Sequence, residues 1–305
     1  MFGSGSSHRA ALLQALFVTF LWSTSWVLIK IGLHDVPALT FAGLRYMLAV
    51  ICLLPFVLRP THVAALRSMT AGEYRHLLLL GVFYIAITQG AQFVGLALLP
   101  AVTVSLLLNF TPVLVAVMGI FVLREIPTRS QWAGVMLYLV GVAIYFYPVV
   151  LPADQVLGLA VMVVGVLSNT ASALLGRKIN REANLHPLLV TAFSMGVGAV
   201  ILLFTGVVAQ GLPALSLSSW LIIAWLAAVN TAFALTIWNQ TMRTLSAVES
   251  STINGTMLVQ IALLAWIFLG EGVTWKGMVG MALVALAAVL SQRRPNSRTG
   301  REGQA

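Results

Sequence analysis

Aromatic and neutral polar side chains recur inside long apolar runs of this sequence, and their types limit the chemistry open to it. Trp22, Ser25 and Trp26 lie in the first run, Arg45 in the second, Tyr84, Thr88, Gln89 and Gln92 in the third, and Asn109 in the fourth. In the second half come Asn169, Asn230, Trp238, Asn239, Asn254 and Gln260. Polar groups inside apolar helices are costly unless they face a cavity or another helix. Tyr84, Thr88 and Gln92 recur every four residues, as do Trp22 and Trp26, so each set shares one helix face. Aromatic rings beside neutral amides suit a ligand with an apolar body and a polar head, such as an amino acid.

Each of these residues has a second reading. The tryptophans could form an interfacial belt or simply pack. Any one Asn or Gln could serve a helix–helix hydrogen bond as well as a ligand. Arg45, several residues inside its run, needs a partner or water. It either holds a substrate carboxylate, or snorkels and bonds to carbonyls and acidic groups near the membrane surface. Covalent and metal chemistry find no support. H-E-x-x-H and G-x-S-x-G are absent, no paired aspartates occur, and the histidines (His8, His34, His62, His76, His186) are dispersed. The expectation is therefore a protein with no catalytic residues, no metal and no cofactor. Cys52 is the only cysteine, so no intrachain disulfide forms.

The elements that carry these residues follow from composition. Hydrophobic residues make up 60% of the 305, and charged residues only 8%, against roughly 25% charged in a soluble domain. At roughly 20 residues per crossing, the apolar residues and glycines supply about ten membrane helices. The spans read as 11–31, 37–58, 76–98, 100–123, 131–150, 156–178, 186–208, 219–241, 247–269 and 275–291. The fold class expected is an all-α integral membrane protein, since each backbone amide in lipid must be bonded within its own helix. Pro37, Pro100, Pro127, Pro152, Pro187 and Pro213 fall at or near span ends, while Pro55 and Pro112 lie inside. With the N-terminus inside, 14 of the 17 Lys and Arg residues fall on the inner side. This predicts both termini in the cytoplasm. The same bias explains the net charge of +9 without nucleic acid.

The two halves resemble each other. Leu123-Arg124-Glu125 recurs as Leu269-Gly270-Glu271, with Thr128 and Thr274 three residues on and Gly134 and Gly280 nine on. Glu125 and Glu271 read as structural turn residues beside the start of the next helix. Five helices per repeat is an odd number, so the second repeat enters the membrane inverted, an arrangement recurrent in secondary transporters. Residues 1–150 form the first repeat, 151–291 the second, and 292–305 a disordered tail.

With these features in place, the chain resembles the drug/metabolite transporter superfamily, EamA-type branch. The resemblance rests on the five-plus-five organisation, the paired L-R-E and L-G-E turns, Trp22 to Lys30, and the Pro37–Arg45 spacing. Members similar to this chain include YddG-like exporters of aromatic amino acids. The resemblance implies a central cavity exposed alternately to either side of a bacterial inner membrane. Leu258 stands where the first repeat has Pro112, a departure from the typical pattern.

Spans five and ten carry few polar groups apart from tyrosine, so the first four helices of each repeat should line the cavity. No carboxylate occupies the middle of spans one to four or six to eight, and Glu249 lies near the start of span nine. A proton-driven exchanger usually needs a buried acid, so facilitated diffusion is expected. The competing readings are a proton-coupled drug/metabolite antiporter and, in another class, a membrane enzyme. The expected partners are a small-molecule substrate and the lipid bilayer, and the expected state is a monomer or weak dimer. Ser194–Gly198 and Ala228–Ala232 have small-residue spacing that could serve packing within or between chains.

Overall fold

The computed structural model describes residues 7–99, 104, 107–108, 110–124, 126–147, 155–182, 185–269 and 275–291. Asn109, Glu125, Glu271 and the 292–305 tail lie outside the described residues. All regular structure among the described residues is helical. In chain order the helices are α1 (His8–Gly32), α2 (Ala38–Val57), α3 (Pro60–Arg67), α4 (Ala71–Leu98), α5 (Thr111–Val122), α6 (Arg129–Phe146), α7 (Val156–Glu182), α8 (Pro187–Gln210), α9 (Leu217–Thr241), α10 (Ala247–Phe268) and α11 (Trp275–Ser291). Among the described residues, seven of these (α1, α2, α4, α7, α8, α9 and α10) are long and apolar enough to cross a membrane. The described part of α5 is 12 residues long, α6 has 18 and α11 has 17.

Local chemistry sets the helix starts. Thr70 with Glu73, Thr128 with Gln131, and Ser246 with Glu249 form reciprocal capping boxes, and Ser7 and Ser216 accept from their own first turns. Thr70 moves the start of the third apolar helix five residues ahead of the expected 76. Pro60 opens α3, a short helix without buried residues where the sequence reading expected only a connection. Arg124 takes a left-handed φ of 53° after α5, at the position where the second half of the sequence has Gly270. A helix commonly ends with such a residue.

The helices pack around a shared centre. α2 lies along α8, α6 along α11, α4 against α7 and α8, and α9 against α1 and α2. The α2–α8 crossing is backbone to backbone. A Cβ at Gly206 would stand 2.6 Å from the Thr40 nitrogen, and one at Gly43 2.5 Å from the Leu203 Cα. Small residues permit this approach, which supplies dispersion contacts where lipid gives helices no hydrophobic reason to associate. Ser194 and Gly198 pack against Gly81 and Ile85 of the same chain, so that motif serves internal packing. Ala232 is buried and Ala228 exposed, so the second motif does not make one interface. Exposed large side chains such as Phe17, Phe121, Phe204 and Trp266 cover the outer faces with apolar surface.

At one end, His186 precedes α8 and its Nδ1 accepts from the Leu188 N–H at 3.3 Å. Its ring lies 5.1 Å from that of His62. Partial burial, the neighbouring His62 and Arg243 hold its pKa below the ordinary histidine value. Protonation would remove the Nδ1 acceptor as well.

Two outcomes follow from this packing. Gly206→Ala should destabilise the protein by about 1–3 kcal/mol through overpacking, read as a lower melting temperature in detergent. Because the folded-state pKa of His186 is depressed, its contribution is fully present above the unfolded value near 6.5 and is lost as the pH falls through the folded value. Melting temperature should therefore drop on acidification, and His186→Gln should shrink that drop.

Candidate functional site

α4 and α9 each abandon α-helical geometry at mid-length. Gly81–Gln89 and Ala228–Phe233 are π-helical, a form frequent at functional sites. Widening the turn changes which carbonyls are bonded, and side-chain hydroxyls answer. Thr88 donates to the Phe83 carbonyl at 2.7 Å, five residues back, and Ser168 of α7 donates to the same oxygen at 2.7 Å. In α9, Thr231 donates to the Leu226 carbonyl at 2.7 Å, again five residues back. The Trp22 indole N–H donates to the Asn230 carbonyl at 3.0 Å.

Between these segments lies a cavity of about 170 Å³, comparable with the ~150 Å³ pocket that admits benzene. Residues of α1, α2, α4, α5, α7, α8, α9 and α10 line it, and among the described residues none from α6 or α11 does. Among the sequence candidates, Trp22, Ser25, Trp26, Arg45, Tyr84, Thr88, Gln89, Gln92, Asn169, Asn230, Trp238, Asn239 and Asn254 face it. Trp22 and Trp238 meet across α1 and α9 with ring centroids 5.1 Å apart and planes tilted by 51°.

Gln260 does not line the cavity. Its Oε1 accepts from Ser23 at 2.9 Å and its Nε2 donates to Thr19 at 3.1 Å, tying α10 to α1. Several lining residues are likewise engaged in packing. Asn239 donates to Thr191 at 2.8 Å and accepts from Asn180 at 2.9 Å. Asn169 donates to Thr111 at 3.1 Å. Asn230 donates to the Leu21 carbonyl, to Thr24 at 2.9 Å and to Ser25 at 3.0 Å. Tyr84, Gln89, Gln92 and Asn254 make no side-chain hydrogen bond within the described residues. These, with the two tryptophans and Arg45, are the groups left to meet a ligand.

Arg45 does not snorkel. It is only 5% exposed, and its Nε donates to the Thr231 hydroxyl at 2.8 Å on the π segment of α9. Its guanidinium lies 5.4 Å from the centre of the Tyr46 ring. Sequence reading missed Thr191, Ser194, Thr231, Ser250 and Ser251 as lining residues. A hydroxyl directly after Asn230 in an apolar run was the available signal for Thr231.

Apolar clusters close the two ends of α1. Ala11 and Ala15 pack with Leu245 and Ile253 at one, and Trp26 packs with Leu99, Leu159 and Met162 at the other. At the first end, Glu249 is 2% exposed and its Oε1 lies 3.5 Å from His8 Nε2. No cluster of metal-ligating side chains occurs among the described residues.

The profile of the EamA-like transporter family matches this sequence twice, over residues 9–147 and 156–292. The chain belongs to the EamA-like transporter family. It is thus a multi-pass membrane protein, and the large apolar side chains on its outer faces are those expected of such a protein in lipid. The uncharacterized transporter YoaV of Bacillus subtilis strain 168 is 25% identical over 283 residues, 90% of this chain and 93% of YoaV. A probable amino-acid metabolite efflux pump of Salmonella typhimurium strain LT2 is 32% identical over 135 residues, 43% of this chain and 40% of the pump. One solved crystal structure shares the fold, with a TM-score of 0.78 and 17% identity over 93% of this chain and 98% of its own.

The hydrogen bonds separate lining groups engaged in packing from those that are not. Trp22→Ala and Trp238→Ala should each raise the half-saturation constant for an aromatic amino acid, measured in proteoliposomes. Gln260→Ala should instead lower the melting temperature and leave that constant unchanged.

Proposed function

We propose that this EamA-like transporter exports small metabolites of the amino-acid class, aromatic ones included, through the central cavity by alternating access. The observation that carries this reading is the cavity itself, whose wall brings together three tryptophans, unengaged amides and one cation. The similarity to the probable amino-acid metabolite efflux pump of Salmonella typhimurium supports the substrate class, over a shorter stretch of the chain.

In this reading the protein has ten membrane helices, two inverted five-helix repeats, both termini in the cytoplasm of a bacterial inner membrane, and α3 as an extra helix on the inner face. The double family match supports the duplication. So does the packing pattern. Exchanging the first half for the second turns the α4–α7 contact into α9–α1, and α4–α8 into α9–α2, both of which occur. Inversion then makes the clusters at the two ends of α1 equivalent gates on opposite faces, with Leu99 in one and Leu245 in the other. Neither repeat alone would enclose the cavity.

No acid among the described residues lines the cavity, which favours facilitated diffusion down the substrate's own gradient. The second reading, a proton-coupled antiporter, is favoured by Glu249, a carboxylate buried at the inner gate with its Oε1 3.5 Å from His8 Nε2.

Uptake into proteoliposomes of a panel of radiolabelled amino acids, with and without a pH gradient, separates the two. Facilitated diffusion predicts saturable, mutually competing fluxes that equilibrate and never exceed the external concentration. Accumulation driven by a pH gradient alone, and lost in Glu249→Gln, would establish the antiporter instead.

A further inference from the structure

Arg45 poses an electrostatic problem that the protein around it does not solve. A buried cation without a counter-ion is destabilised by several kcal/mol or more. Its Nε is used by Thr231 and its face by the Tyr46 ring. Neither η nitrogen bonds to the protein, yet neither is among the sealed, unpartnered polar atoms. Both therefore stay in contact with the open volume of the cavity that Arg45 lines.

The described acids are elsewhere. Asp35 accepts from Ser219, Glu73 caps α4, Glu249 faces His8, and Glu182 is exposed at the end of α7. Among the described residues the cavity wall carries one positive charge and no negative one.

Resting on the transport reading above, we infer that Arg45 is the specificity-determining residue of the cavity. It requires a carboxylate on the substrate and leaves the α-amino group dispensable. Since Nε is occupied, the carboxylate meets the guanidinium end-on, through the two η nitrogens, as a charge-assisted bidentate pair. An ammonium finds only neutral acceptors, such as the unpartnered Asn254 Oδ1, and shares the cavity with an unneutralised guanidinium. The preferred ligand class is accordingly a monocarboxylate with an apolar or aromatic body. Amino acids are admitted through their carboxylate, and the matching 2-oxo or deaminated acids are admitted at least as well.

Four probes with the same phenyl body test this on the purified full-length protein: phenylalanine, 3-phenylpropanoate, phenethylamine and phenylalaninamide. Binding is read from intrinsic tryptophan fluorescence and from the shift in melting temperature. The two carboxylates should bind within a few-fold of each other, and the amine and the amide at least about tenfold more weakly. Arg45→Lys should keep that preference, and Arg45→Gln should erase it while still admitting the amide. Equal binding of phenethylamine and 3-phenylpropanoate to the wild type would overturn the inference and leave transport through the cavity standing. Binding of none of the four would overturn it together with the aromatic part of the transport reading. The wild-type panel decides the question even if Arg45→Gln fails to fold.

Discussion

A backbone carbonyl in lipid must find a hydrogen, and this requirement shapes the centre of the molecule. In most of the chain the α-helix meets it internally. In α4 and α9 the helix widens into π turns, and hydroxyls of Thr88, Ser168 and Thr231 take up the Phe83 and Leu226 carbonyls. Irregular backbone at membrane depth is tolerated only where it is buried in protein or lines a cavity, and both π segments line this one. Thr231 carries the link further, since the hydroxyl that satisfies Leu226 also accepts from Arg45. One threonine thereby joins backbone integrity to the placement of the cavity's charge.

Around that centre, the second constraint is the weakness of any drive for helix association in lipid. Close packing replaces it. Gly43 and Gly206 let α2 and α8 touch backbone to backbone, and a Cβ at Gly141 would stand only 2.8 Å from the Gly280 carbonyl oxygen where α6 meets α11. These seams hold helices whose contacts exchange between the two halves, a geometry in which a small tilt could open one end as it closes the other. The proposed gates at the ends of α1 are built mainly of apolar side chains, whose contacts can part and re-form without losing a directional bond.

Much of this was legible in the sequence because membrane helices declare themselves by composition and length. The cavity residues were legible for the same reason, since an Asn or Trp in an apolar run has few alternatives. Packing and ligand contact were not separable from sequence. Gln260 and Asn254 look alike in the chain, yet one ties α10 to α1 and the other is left unengaged. Periodicity could not reveal the π segments, because a one-residue widening barely alters the apolar pattern. The environment of Arg45 depended on Thr231, 186 residues away, which no local reading reaches. Glu249 read as a span-end acid, and only the fold showed it to be buried against His8.

Alternating access requires the two clusters at the ends of α1 to act as gates that open in turn. In a Cys52→Ser background, Ala15→Cys with Leu245→Cys would tether one gate, and Leu99→Cys with Met162→Cys the other. Flux of a radiolabelled substrate through proteoliposomes is then measured before and after cross-linking and again after reduction. Either tether alone should stop flux, and reduction should restore it. Undiminished flux through protein cross-linked at either end would contradict alternating access through this cavity.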